Sequence, residues 1–119
     1  MRPGALIPVL LILLFGFAEG TRASEKYDGN WSIFIFGAPG HCQFGYRMKM
    51  TIDNGNVLYR GRQVSPHAIN VSSGGAVTLR LGTGKFTVIG SGEIDDRRGQ
   101  GRWTAAGFRC TGWWRAVRQ

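Results

Sequence analysis

Glycine recurs so often after residue 24 that no stretch keeps a sustained helical periodicity, and the runs between glycines are short and β-type. "NWSIFIF" (30–36) is apolar on both faces apart from Ser32 and stops at the breaker "GAPG". "FGYRMKMTI" (44–52) alternates, with Tyr46, Met48, Met50 and Ile52 on one face and Arg47, Lys49 and Thr51 on the other, as a half-buried strand requires. "DNGN" (53–56) supplies the Asn-Gly step of a tight hairpin turn, and "VLYRGR" returns from it. "AINVS" (68–72) and "AVTLRL" (76–81) flank "SGG" as a second hairpin; "KFTVIGSGEI" (85–94) follows, and "DDRRGQG" turns the chain into "RWTAAGFRCTGWWRAV". The expected fold is all-β: an antiparallel meander of seven or eight strands, closed as a small barrel in preference to a sandwich. "QVSPHA" (63–68) is the weak link, because Pro66 suits an edge or a crossing loop.

The first twenty-odd residues read as a secretory signal peptide: Arg2, the apolar run Ala5 to Ala18, then "EGTRASEK". That run, interrupted by Pro8, is shorter than the roughly 20 residues a membrane-crossing helix needs. Cleavage after Ala23 is expected, with Gly20 as the competing point, which leaves residues 24–119 as a single domain with no transmembrane anchor. The expected location is periplasmic or secreted. Cys42 and Cys110 are the only cysteines, and in an oxidising compartment one disulfide between them is the natural reading, ahead of a nucleophilic thiol or a metal pair. It would close a loop of nearly seventy residues, worth on the order of 4 kcal/mol in the chain-entropy treatment. Because Cys42 follows the first strand and Cys110 begins the last, the bridge brings the two ends together, and adjoining first and last strands imply a closed barrel.

Tryptophan repeatedly stands next to glycine, in "GNW", "GRW" and "GWW". In each step the glycine leaves space and a large ring covers the core. Glycines Gly90 and Gly92 share one strand face, where a bulky neighbour can pack over the backbone. Trp113 and Trp114 are neighbours on a strand and point oppositely, so one of them faces solvent or a ligand. "YDGNW", "GHC", "DNG", "GSG", "GQGRW" and "CTGWWRAVR", in this order, resemble an uncharacterised family of small secreted alphaproteobacterial proteins. Its members have an Asp-Gly-x-Trp start, two cysteines and a Cys-x-Gly-x-Trp-x-Ala-x-Arg end. The resemblance implies export from a bacterium and a β-fold, and transfers no active site. The Gly-x-Trp of the first strand is also similar to the entrance of lipocalin and avidin barrels, a likeness of fold only.

Removing Arg2, Arg22 and Glu19 from the 15 basic and 7 acidic residues leaves 13 and 6, a net charge of +7 after cleavage. Such a charge favours anionic partners. The histidines, His41 and His67, lie in expected loops without a nucleophile signature, and Asp95 and Asp96 read as a solvated turn. Met48 and Met50 have the spacing of a thioether copper site, but it also places them in the core stripe. "GTGK" (82–85) lacks the residues of a phosphate loop. No metal and no cofactor are expected, no RNA-binding signature is present, and export argues against nucleic acid.

What remains is a basic and aromatic surface: Arg47, Lys49, Arg60, Arg62 and Arg80 from outward positions, with Arg102, Arg109, Arg115 and Arg118 near the exposed tryptophan. The leading expectation is an exported, monomeric, non-enzymatic module that binds an anionic or glycan component of the envelope through Arg47, Lys49, Arg80 and Arg115 and the solvent-facing member of Trp113/Trp114. A carrier of a small apolar ligand, or an inhibitor acting through "GAPGHC", is the alternative; a hydrolase using His41, His67, Asp95 and Asp96 ranks behind both.

Overall fold

Alternating side chains pay off only if successive strands pair in register, and that pairing dominates the molecule. The computed structural model describes residues 25–119; the leader and both cleavage points lie outside them. Nine strands run β1 (Gly29–Gly37), β2 (Gly45–Asp53), β3 (Asn56–Tyr59), β4 (Arg62–Gln63), β5 (Ile69–Val71), β6 (Ala76–Leu81), β7 (Val88–Ile94), β8 (Arg98–Ala105) and β9 (Cys110–Arg118). They form one antiparallel sheet in the order β4-β3-β2-β1-β9-β8-β7-β6-β5. The all-β antiparallel class is therefore as expected.

The strand count exceeds seven or eight because "VLYRGR" is broken. Arg60 and Gly61 take left-handed φ of 52° and 79°, nearly repeating the 52° and 80° of Asn54 and Gly55. Two successive left-handed residues make the tight turn whose twist matches a hairpin. Arginine carries no signal for that conformation, so the second turn was hidden. The run expected from residue 85 starts as a strand only at Val88, after a 3₁₀ turn at Gly84–Phe86.

β1 and β9 do adjoin, from Trp31↔Arg118 to Gly37↔Gly112. Their adjacency does not itself close the barrel, because both lie in the middle of the strand order. The ends of that order are β4 and β5, consecutive in the chain and, among the described residues, not paired with each other. β4 has two residues and the connection after it contains Pro66, which has no N–H to donate. The sheet thus curls into a half-barrel with a seam on the β4/β5 side.

Hairpin turns at Asn54–Gly55, Gly74–Gly75 and Asp95–Arg97 gather at one end, called here the turn end; the connections β1–β2, β6–β7 and β8–β9 gather at the other, the loop end. The turn end is filled. Tyr27 and Trp31 are the largest fully buried side chains, packed with Ile52, Val57, Val71 and Ile94. The Trp31 indole N–H donates to the Tyr27 carbonyl at 2.9 Å. The Asp28 carboxylate accepts from the backbone N–H groups of Asn54 (2.9 Å) and Gly55 (3.1 Å), tying the chain's entry to the first hairpin turn. Arg118 donates to the carbonyls of Lys26, Asp96 and Asp28. It is therefore structural, and does not belong to the basic surface expected near the exposed tryptophan.

At the loop end Cys42 and Cys110 are joined by a disulfide, with Cα atoms 5.6 Å apart. On β9 the burial pattern shows why the closing motif alternates: Gly112, Trp114 and Ala116 are buried while Thr111, Trp113, Arg115 and Val117 are exposed. Trp114 rests on Gly92 and Gly101; a Cβ at Gly92 would come within 2.5 Å of its ring. A Cβ at Gly112 would come within 2.7 Å of the Trp103 ring. The glycines supply space for flat rings, as the Gly-Trp steps predict.

Candidate functional site

Above the filled end the half-barrel interior is not packed shut. A cup of about 340 Å³ opens there, and its lining surface is wholly apolar. Ile33 and Ile35 of β1 with Met48 and Met50 of β2 form one wall; Leu79 and Leu81 of β6 with Val88 of β7 form the facing one. Trp103 and Trp114 make the panel between them. A narrower space of about 60 Å³ extends the cup toward the turn end and shares Ile33, Met50, Ile69, Val77 and Trp114 with it.

The short pairing of β3 and β5 leaves this space open. β3 pairs with β2 only at Thr51–Asp53, and β5 with β6 only at Val71–Val77 through Ile69↔Leu79. Toward the loop end β2 and β6 therefore have no covering strand on the seam side, and no residue of β3 or β4 lines the cup. The rim is consequently exposed: Phe44 at 47%, Tyr46 at 52% and Leu81 at 42%. Apolar side chains left this open in a group mark a binding surface more often than an accident of packing.

The indole N–H groups do not point into the space. Trp103 donates to the carbonyls of Phe36 (3.3 Å) and Trp113 (3.2 Å), and Trp114 to that of Ser91 (3.2 Å). Sheet carbonyls thus satisfy the only N–H groups of the lining rings, and an entering molecule meets carbon and sulfur alone. Met48 and Met50 line the cup, and their flexible thioethers can repack around different shapes.

The outer face of the sheet carries the expected basic surface, in part. Trp113 is 39% exposed and Trp114 6%, which resolves the pair. Arg47 and Arg115 stand opposite Phe34 from its two sides, in the registers Phe34↔Arg47 and Phe34↔Arg115. One row nearer the loop end, Phe36 stands beside Trp113, which stands opposite Arg102. Lys49 faces out beside Ser32, one row the other way. Arg80 stands apart from this cluster on β6, paired with Ile89: β7 separates it from Arg102, β7 and β8 from Arg115, and β7, β8 and β9 from Phe34. Alternation puts Arg80 on the outer face but does not say on which part of it. Phe34, Phe36 and Gln100 were missed in the sequence, where "IFIF" reads as apolar on both sides.

The residues of a hydrolase are not assembled. His41 lies at the loop end with its Nε2 4.0 Å from Cys110 Sγ, His67 lies in the β4–β5 connection, and Asp95 and Asp96 occupy the β7–β8 turn at the turn end. His41, Cys42 and Cys110 bring three ligand-type atoms within 4.8 Å of one another. The two sulfurs are bonded to each other, however, so no thiolate is left to coordinate a metal. The Asp95 carboxylate accepts from the backbone N–H groups of Arg97 and Arg98, both at 2.8 Å, and these bonds hold its pKa below the ordinary 3.8. It is the acceptor of a local turn, as the bland reading supposes. Among the described residues no helix is long and apolar enough to cross a membrane. No protein-family model, curated protein or solved structure matches the chain.

Proposed function

We propose that the protein is an exported, non-enzymatic carrier that holds a small apolar molecule in the cup between β2 and β6. The observation that carries this reading is the wholly apolar lining of an open space of about 340 Å³, within the size range of ligand pockets, about 300–1,000 Å³. A structural core would have closed that space, since removing one leucine side chain from a packed core costs about 2–5 kcal/mol. The disulfide supports an oxidising compartment, and the resemblance to small secreted bacterial proteins points the same way. With no polar group in the lining, recognition rests on shape and desolvation, so the expected ligand is uncharged over the part that enters.

Titration of the oxidised protein with the neutral fluorophore N-phenyl-1-naphthylamine tests the proposal. Saturable binding with enhanced emission is expected. Met48→Glu, which sets a charge in the wall, is expected to lower affinity at least tenfold while circular dichroism stays unchanged. Non-saturable uptake, or equal affinity in the folded Met48→Glu variant, would refute the carrier reading.

A further inference from the structure

The outer face of β1, β9 and β8 differs from an ordinary solvated sheet in two ways. Its aromatic side chains are grouped: the Phe34 and Phe36 ring centroids lie 5.1 Å apart and those of Phe36 and Trp113 6.0 Å apart, the latter pair only 34° from parallel. Phe34 remains 40% exposed and Trp113 39%. Its cations are also unneutralised. Arg47 lies 5.5 Å from the Phe34 centroid and Arg115 5.6 Å from that of Phe36, and among the described residues no ion pair engages Arg47, Arg102 or Arg115.

Five of the six acidic groups among the described residues lie away from this face, and the sixth faces none of its arginines directly. Glu25, Asp28, Asp53, Asp95 and Asp96 are at the turn end; Glu93 of β7 shares the outer face, in the row Glu93↔Gln100↔Arg115, where Gln100 stands between it and Arg115. Stabilisation of the fold would be served by carboxylates across from these arginines, as cross-strand opposite charges do elsewhere. A depression of about 510 Å³ lies on the face, bordered by Phe36, Gln100, Arg102, Trp113 and Arg115.

We propose that this depression is a second site, which binds an acidic sugar residue of a polysaccharide, its ring lying on Trp113 and Phe36 and its carboxylate held by Arg102 and Arg115. The ring planes favour a sugar over a bare phosphate or a lipid headgroup, because the C–H face of a pyranose gains contact from an aromatic plane and a phosphate does not. Guanidinium forks match a carboxylate bidentately, and Gln100 adds an amide for hydroxyl groups. The site is on the opposite face of the sheet from the cup and is independent of it.

The test uses the oxidised protein and three probes: trigalacturonate, neutral galactotriose, and vesicles of phosphatidylglycerol. Trp113 is the one tryptophan among the described residues that is more than a tenth exposed, the other three lying at 2%, 6% and 6%. Saturable trigalacturonate binding should therefore shift indole emission. The shift should weaken at 0.5 M salt, where screening is short-ranged. By calorimetry, Trp113→Ala and Arg115→Ala should each lower affinity about tenfold or more, and Trp113→Phe should restore part of the loss. Both alanine variants lie on the surface, and unchanged far-UV circular dichroism and thermal midpoint show that they fold. Three results would overturn the proposal: equal affinity for galactotriose, binding to vesicles without binding to trigalacturonate, or full affinity in Trp113→Ala.

Discussion

Replacing both cysteines by alanine is the most informative perturbation of the fold. Cys42 lies just before β2 and Cys110 opens β9, 68 positions apart in sequence. In the chain-entropy treatment, opening a loop of that length frees the unfolded chain by about 4.4 kcal/mol at 25 °C. The folded state loses little in exchange, because β1 and β9 remain paired from Trp31 to Gly37 without the bridge. For a domain of this size, with total stability of about 5–15 kcal/mol, that is a large fraction. With a guanidinium m-value of about 2.5 kcal/mol/M, the midpoint should fall by about 1.8 M. Equilibrium unfolding followed by far-UV circular dichroism and by tryptophan emission checks this, and both probes should give one transition. The m-value should rise slightly, because the unfolded chain is no longer held compact. A loss below about 1 kcal/mol would refute the claim that the cross-link constrains the unfolded ensemble across the β1–β9 pairing.

Two further outcomes follow from single positions. Gly92→Ala puts a Cβ 2.2 Å from the Gln100 carbonyl oxygen and 2.5 Å from the Trp114 ring, and overpacking of this kind costs about 1–3 kcal/mol; a thermal melt should show the loss, and an unchanged midpoint would mean that neither β8 nor Trp114 lies so close over Gly92. Asp95→Asn removes a carboxylate whose pKa is depressed by hydrogen bonds from Arg97 and Arg98. The stability that group contributes is fully present above its ordinary value of 3.8 and is lost as pH falls through the lower, folded value. The difference between wild type and variant should therefore be constant at neutral pH and shrink in acid; a difference that grows in acid contradicts the assigned bonds.

The elements legible in the sequence were those whose cause is local. Alternation from Tyr46 to Ile52 gave the inner face of β2, Asn54-Gly55 its turn, and the parity of Trp113 and Trp114 the fact that only one is outside. The lateral position of each strand was not local. Arg80 shares the outward parity of Arg47 and Arg115, yet it stands on the far wall because strand order, rather than alternation, sets the distance between them. The outer pairing of Phe34 and Phe36 with Arg47, Arg115 and Trp113 likewise depends on register across three strands. The cup was hidden for a related reason. Its inward residues form recognisable stripes, but the opening exists because β3 and β5 are too short to cover β2 and β6. The turn at Arg60-Gly61 that shortens β3 uses a residue with no preference for left-handed backbone.

Methyl-resolved NMR during titration with N-phenyl-1-naphthylamine tests the central claim most directly, since the isoleucine, leucine and valine methyls sample the cup, the filled end and the outer face separately. Ile33, Ile35, Leu79, Leu81 and Val88 line the cup, Val57 and Val71 lie toward the filled end, and Ile89 and Val117 are exposed outside. The account predicts saturating shifts in the first group, weak ones in the second and none in the third. Shifts at Ile89 and Val117 without shifts at Leu79 and Val88 would contradict it.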